Sequence, residues 1–221
     1  MHPMTCKRET QLYKSNEITL TESIASEELT ETLACLADVA LDAAITEGIL
    51  DGVPIIGTLT SAAAAISSMS QKIYVRKVAK FIKELATIPL EERNAFLRRI
   101  DSDDKRFKFG EAMLLILERT DDMEKPTIIG RITAAHIQGR FDLATSLRLC
   151  SIVNRCYLQD LAYLKVFKNG VQGSSTAIAA SLFSAGVISN GGFDGGTFDA
   201  DEGGVIYNLN EFGQLLIKYG L

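Results

Sequence analysis

The side chains that most often perform catalysis are scarce in this chain of 221 residues. It contains two histidines and no Trp, so imidazole acid–base chemistry would have to rest on His136. The sequence has no GxxxxGK[ST] phosphate loop, no GxGxxG after a strand, no HExxH and no GxSxG. Because a lone helical His is more often structural than catalytic, we predict no catalytic residue and no cofactor. An enzyme using His136 with a nearby carboxylate is the weakest of three hypotheses.

Two further groups of residues have the chemistry of metal ligands but not the spacing. An acidic, glycine-rich loop misses the D-x-[DN]-x-[DN]-G order of a calcium loop, although it offers Asp194, Asp199, Asp201 and Glu202. The four cysteines form no CxxC pair. We therefore predict no metal site. Since the N-terminus also lacks the apolar region of a signal peptide, reduced cysteines in a cytoplasmic environment are expected.

Basic side chains are concentrated in one block of a chain whose net charge is −5. Residues 71–108 carry 11 basic and 6 acidic side chains, whereas residues 1–70 carry 3 basic and 10 acidic ones. A basic block between acidic ends is suited to phosphates or lipid headgroups. The commoner explanation of helical Lys and Arg is a solvated face, and this alternative stays open.

Directly before the basic block, the 20 residues from Gly52 to Gln71 carry no charge. This length matches a helix that crosses a bilayer. The stretch is built mainly from Gly, Ala, Ser and Thr, which allow helix backbones to approach closely. Its polar content makes an ordinary buried helix of a soluble bundle an equal alternative.

The spacing of apolar residues predicts a mainly α protein, a helical bundle with a small C-terminal α+β module that is winged-helix-like. We expect a polar tail at 1–20, the helical bundle at 21–170 and the glycine-rich module at 171–221. Pro54 suits the first turn of the helix through the uncharged stretch. An amphipathic helix follows and ends before Pro89, with its apolar side predicted to consist of Ile73, Val75, Val78, Phe81, Ile82 and Leu85.

Four segments carry a resemblance to a known family: DGVPIIGTLTSAAAAISSMSQKIYVRKVAKFIKEL, LEERNAFLRRI, FGEAMLLILERTDDMEKPTIIGRITAAHIQG and FDLATSLRLCSIVNRCYLQDL. They resemble bacterial anti-phage membrane effectors of the Hailong type, which are paired with a nucleotidyltransferase. The resemblance covers residues 47–165 and the glycine-rich tail. It implies a homo-oligomer, for example a tetramer, that forms an ion channel in the inner membrane and depolarises the cell in abortive infection. A DNA oligomer made by the partner enzyme would hold it inactive until then.

The resemblance also implies which residues would act. The channel would lie in the uncharged stretch, at Val53, Ile55, Ile56, Gly57, Leu59, Ala63 and Ile66. The nucleic-acid ligand would contact basic side chains, at Lys72, Arg76, Lys77, Lys80, Arg98, Arg99, Lys105 and Arg106. The alternative from another class is a soluble α-helical regulatory or adaptor protein that binds nucleic acid or a partner protein.

Overall fold

The structure, a computed structural model, describes residues 16–33, 38–66, 68–169, 176–194 and 204–221. The chain is mainly helical and has a small two-stranded antiparallel sheet near its C-terminus, which confirms the predicted fold class. It forms two compact units, Met1–Asp142 and Leu143–Leu221. Each unit is described separately below.

The described helices of the first unit begin within the segment predicted as a polar tail. Leu20 and Ile24 of the first helix are fully buried, and the remainder of the predicted tail, residues 1–15, lies outside the described residues. The helices are α1 (16–25), α2 (Glu28–Leu33), α3 (Asp38–Thr46), α4 (Pro54–Ile66), α5 (Met69–Ala86), α6 (Leu90–Arg99), α7 (Asp103–Glu118) and α8 (Lys125–Ile137).

Helix α5 is the centre of the first unit. It packs most extensively against α8 and also contacts α2, α3, α4 and α7. Gly130 of α8 permits the closest approach, because a Cβ at this position would lie 2.7 Å from the Phe81 carbonyl oxygen. The predicted apolar side of α5 is buried except at Ile73, which is 38% exposed. The placement of Ile73 on the buried side was therefore wrong: 100° per residue turns it towards the opposite face.

The uncharged stretch does not form one helix. Pro54 is the first residue of α4, as predicted. After Ile66 the chain is interrupted at Ser68, whose φ of −86° and ψ of 134° are extended, and α5 begins at Met69. Serine is a preferred residue at this type of position, just before a helix, because its side chain competes with helical hydrogen bonding. α4 and α5 are therefore separate helices.

A buried guanidinium holds α6 to the N-terminal helices. Arg93 is fully buried. Its Nη1 donates hydrogen bonds to the carbonyl oxygens of Ile24 (2.8 Å) and Ser26 (3.0 Å), and its Nη2 donates to the Thr30 hydroxyl. Its Nε donates to the Ile88 carbonyl oxygen at 3.1 Å. These bonds satisfy the buried charge and fix the connection between α1 and α2.

The second unit surrounds a hairpin with short helices. Its described elements are α9 (Leu143–Arg155), α10 (Leu158–Leu161), a 3₁₀ helix (Ala162–Asn169), α11 (Thr176–Ala185), β1 (Ile188–Asp194), β2 (Gly204–Leu209) and α12 (Glu211–Tyr219). The apolar stripe from Asp142 to about Phe167, whose spacing predicts one long helix, is interrupted at Tyr157, whose backbone is extended. β1 and β2 pair antiparallel, with a bulge between Asn190 and Gly192. The acidic loop lies largely outside the described residues.

Candidate functional site

A half-open cleft of about 600 Å³ lies between α3, α4 and α5 of the first unit. It joins the uncharged helix to the basic helix, the two elements that the sequence singled out. The cleft is lined by Asp42, Ile45, Thr46, Gly48, Asp51, Thr60, Ser61, Lys72, Val75 and Arg76. It therefore contains two cations, two carboxylates and three hydroxyl groups.

The cationic side of the cleft comes from α5. Lys72 and Arg76 are four residues apart, so they lie on the same side of the helix. Arg76 Nε lies 2.9 Å from Asp42 Oδ1, and both side chains are about half exposed. An ion pair this exposed contributes little to stability and can open for another anion. Lys72 is exposed, and its side chain has no hydrogen bond or ion pair with the part of the chain that the structure describes.

The acidic side of the cleft holds the first turns of α4 in place. The Thr60 hydroxyl donates a hydrogen bond to Asp51 Oδ1 at 2.8 Å. Gly57 packs directly on the connecting loop, because a Cβ there would lie 2.4 Å from the Asp51 carbonyl oxygen. With Asp42 and Asp51 opposite Lys72 and Arg76, the formal charges of the cleft balance. The cleft is thus suited to one anionic group at a time, beside hydroxyls.

Two of the predicted ligand-binding cations connect α5 to the segment between α7 and α8. Lys77 Nζ donates to the carbonyl oxygens of Glu118 (3.2 Å) and Thr120 (2.5 Å). Burial lowers the pKa of Lys77. Lys80 Nζ lies 2.6 Å from Glu124 Oε1. Both amines therefore have structural partners within the unit.

The other four predicted cations lie on α6 and α7. Arg99 donates to the Ile137 carbonyl oxygen at 2.6 Å, and Arg106 Nε donates to the Ile100 carbonyl oxygen at 3.1 Å. Lys105 pairs with Asp101 at 2.8 Å, and this contact lowers the pKa of that carboxyl group. Arg98 is exposed and has no partner among the described residues. The cleft brings together Lys72 and Arg76 only.

Most of the predicted channel residues lie in the core of the first unit. Val53, Ile55 and Ile56 are fully buried, Leu59 is nearly so, and Gly57 is partly exposed. The Ile55 N–H donates to the Ser23 hydroxyl oxygen at 2.8 Å, which fastens α4 to α1. The side chains of Ala63 and Ile66 lie outside the described residues. Among the helices that the structure describes, none has both the length and the apolarity needed to cross a membrane.

His136 has the contacts of a packing residue. Its ring lies edge-on to Phe96, with centroids 5.6 Å apart, and near Phe109. Its Nδ1 lies 3.0 Å from the Phe141 carbonyl oxygen. Within the described ranges, no three His, Cys, Asp or Glu side chains are grouped to hold a metal ion. The cleft is therefore taken as the candidate binding site of the part of the chain that the structure describes.

No protein-family model, curated protein or solved structure matches this chain.

Proposed function

We propose that this chain is a homo-oligomeric effector that permeabilises the bacterial inner membrane in anti-phage defence. The observation that carries the proposal is the sidedness of an uncharged helix. Ile55, Ile56 and Leu59 of α4 are buried, whereas Ser61 is exposed and Thr58 is partly exposed. In an assembly of several copies, such a helix presents hydroxyl groups to a water-filled lumen and apolar side chains to lipid.

The length of α4 requires a conformational change before insertion. Its 13 residues extend about 20 Å, whereas the hydrocarbon core of a bilayer is about 30 Å thick. The whole uncharged stretch from Gly52 to Gln71 reaches about 30 Å as one helix. In the proposed active form, Ser68 becomes helical and joins α4 to α5. The described form is then the resting state, in which Ser23 and Asp51 accept hydrogen bonds from Ile55 and Thr60 of α4.

Inhibition by a DNA oligomer from a partner nucleotidyltransferase belongs to the same proposal. Phosphate contacts require exposed cations, and Lys72 and Arg98 have no partner among the described residues. A phosphate at Lys72 and Arg76 touches both walls of the cleft, α4 and α5. A DNA oligomer that occupies these cations keeps this surface of α5 from the membrane and so favours the resting arrangement.

A proline at the break between the helices tests the proposal. Ser68→Pro is compatible with the observed φ of −86° but disfavours a continuous helix by about 3 kcal/mol. Ser68→Ala favours helix at the same position and is the matched control. We expect cells that express the natural chain or Ser68→Ala to lose membrane potential, measured with a potential-sensitive dye. Cells that express Ser68→Pro should keep it.

Circular dichroism and thermal unfolding of the purified Ser68 variants report whether both keep the fold. A folded Ser68→Pro protein that depolarises cells as fast as the natural chain contradicts the proposal. Intact membrane potential with every variant, in cells that lack the partner enzyme, contradicts it as well.

A soluble regulatory or adaptor protein is the second candidate. It is favoured by the complete burial of Val53, Ile55 and Ile56, since insertion has to remove these side chains from the core. Under this alternative, the chain stays in the soluble fraction of cells under all conditions. It then binds nucleic acid or a partner protein with equal affinity whether residue 68 is Ser, Ala or Pro.

A further inference from the structure

One face of α5 is left open by the packing of the first unit. Met69, Lys72, Ile73 and Arg76 follow one another at three- and four-residue intervals, so they lie on one side of the helix. We call these four residues the outer face of α5. The buried residues of α5, centred on Val78, are on the opposite side. Met69 is 70% exposed and Ile73 is 38% exposed. In sequence, Ile73 lies between the cations Lys72 and Arg76.

We propose that the outer face of α5 docks on an anionic phospholipid bilayer and that the cleft receives a lipid headgroup. The inference rests on the proposed membrane action and identifies the surface that makes first contact. Met69 and Ile73 enter the boundary between headgroups and acyl chains, and Lys72 and Arg76 bind the phosphates. Exposed apolar side chains beside Lys and Arg are the general composition of surfaces that lie in this boundary.

The position of the cations connects the outer face to the cleft. Lys72 and Arg76 belong to both, because they line the cleft and lie beside Met69 and Ile73. A lipid phosphate at Lys72 therefore places its headgroup in the cleft and leaves its acyl chains outside, next to Met69. Ile49, which follows the cleft-lining Gly48, is 53% exposed and adds an apolar side chain on the connecting loop.

The polar groups of the cleft favour a headgroup with hydroxyls. Asp42 and Asp51 accept hydrogen bonds, and the Ser61 hydroxyl donates or accepts them. The Thr46 hydroxyl donates to the Asp42 carbonyl oxygen at 2.8 Å and so offers only an acceptor. A glycerol headgroup supplies both donors and acceptors beside a single phosphate. The volume of about 600 Å³ is within the range of small-ligand sites. Phosphatidylglycerol is therefore the probe of choice.

A second protein surface and a soluble anion both fit the outer face less well than a bilayer. The core of a protein interface is depleted in Lys, whereas here Lys72 lies between Met69 and Ile73. A soluble anion makes no use of Met69 or Ile73. The nearby carboxylates do not repel an anionic surface fully. Asp42 stays paired with Arg76 through Nε, which leaves the Nη groups of Arg76 for a phosphate, and Asp51 accepts the Thr60 hydroxyl. A bilayer uses all four residues of the face.

Docking through α5 places the uncharged stretch at the bilayer before it inserts. The outer face begins at Met69, the residue after the break at Ser68. When the outer face is bound to the bilayer, the break at Ser68 therefore lies at the level of the headgroups. A DNA oligomer on the same cations blocks this step, which accounts for inhibition without a second site.

Vesicle flotation with the full-length chain tests the docking. We expect the natural chain to float with vesicles of phosphatidylglycerol and phosphatidylcholine, less so at high salt, and not with phosphatidylcholine alone. Met69→Ser and Lys72→Glu should each lower the partition coefficient about tenfold. The matched controls are Leu115→Ser on α7 and Lys165→Glu on the 3₁₀ helix, which remove an exposed apolar and an exposed basic side chain elsewhere. Both controls should bind like the natural chain.

Four results overturn the docking inference. The first is that the chain binds phosphatidylcholine vesicles as well as those with phosphatidylglycerol, and the second is that the two control variants lose as much vesicle binding as Met69→Ser and Lys72→Glu. The third is that Met69→Ser abolishes self-association but leaves vesicle binding unchanged. The fourth is that inorganic phosphate displaces the chain from vesicles while Met69→Ser has no effect on binding. The third result assigns the face to a second copy, and the fourth assigns the cleft to a free anion.

Membrane potential separates the two proposals. Vesicle binding that needs Met69 and Lys72, in a chain that never depolarises cells, supports the docking and contradicts the channel. If Met69→Ser and Lys72→Glu no longer bind vesicles but depolarise cells as fast as the natural chain, the docking is contradicted and the channel proposal stands.

Discussion

Helices α4 and α8 have the same length, 13 residues, but the helix with charged residues is the more buried of the two. α8 carries Lys125, Arg131 and His136, yet most of its residues are buried, including the side chain of Lys125. α4 carries no charge, yet Ser61 is exposed and its other hydroxyl residues are only partly buried. Hydrophobicity therefore does not decide which helix of this unit is enclosed.

The difference comes from how each helix meets α5. Gly130 lets α8 approach the backbone of α5 at Phe81, and the charge of Lys125 is satisfied by Asp121, 2.5 Å away. Among the side chains of α4 that the structure describes, residues 54–62, the hydrogen bonds to other segments are made at Ile55 and Thr60, and the chain after the helix is extended at Ser68. The charged helix α8 is therefore buried along most of its length. The described part of the uncharged helix α4 is buried on one side only, which suits the change that the proposed function requires.

An aspartate introduced in place of a hydroxyl residue in each helix is the sharpest way to test this comparison, and it has the largest expected effect. Thr133 of α8 is fully buried and donates its hydroxyl to the Ile129 carbonyl oxygen at 2.8 Å. Thr133→Asp places a carboxylate in the core and should lower the free energy of unfolding by about 4 kcal/mol. Ser61→Asp on α4 should change it by less than about 0.5 kcal/mol. Urea denaturation of both variants measures the difference, and equal losses contradict the comparison.

A smaller effect is expected when the bond between α1 and α4 is removed. Ser23 is buried, and its hydroxyl donates to the Thr19 carbonyl oxygen and accepts the Ile55 N–H. Ser23→Ala leaves that N–H without its partner and should cost about 1–2 kcal/mol. Hydrogen exchange measures where the cost falls. The amides of α4 should exchange faster while those of α8 stay protected, and equal acceleration in both helices argues against a separately held α4.

The smallest expected effect concerns the charge that α8 buries. The hydrogen bond from Lys125 holds the pKa of Asp121 below its ordinary value. A depressed carboxyl pKa stabilises the fold above the unfolded-state pKa, about 4, and this stabilisation is lost as the pH falls through the folded-state pKa. Because the Asp121 side chain is 73% exposed, Asp121→Asn should cost about 1 kcal/mol or less at pH 7.

The measurement for Asp121→Asn is the free energy of unfolding at pH 7 and at pH 3. The variant and the natural chain should differ at pH 7 and converge towards pH 3. If the two free energies of unfolding differ as much at pH 3 as at pH 7, the charge of Asp121 is not the cause of the difference.

Local sequence signals predicted the elements around the cleft well. Pro54 begins α4, and Pro89 separates α5 from α6, because proline fixes its own φ and lacks the N–H that a helix interior requires. A small C-terminal α+β module was also predicted. The exception was Ile73, which shares the apolar character of the buried face but lies on the outer face of α5.

The roles of the charged residues were much harder to predict. Arg93 was not singled out by the sequence analysis, and one of its partners, Ile24, lies 69 residues away. Its position three residues before the buried Phe96, on the same helix face, was the available signal. Lys77 was predicted to bind a ligand, but its amine binds carbonyl oxygens 41 and 43 residues further along the chain. Partners so distant in sequence leave no local pattern.

The sequence by itself determined the mainly helical class, the uncharged stretch, the basic block after it and the helix ends at proline. These properties depend on residue type and on spacings of a few positions. Only the tertiary structure decided that the described part of α4, residues 54–62, is buried through one side. It also decided that the chain breaks at Ser68 and that Lys72 and Arg76 meet at the cleft. Burial and pairing depend on segments brought together by folding, so the cleft and the open face of α5 appear only when α3, α4 and α5 are packed together.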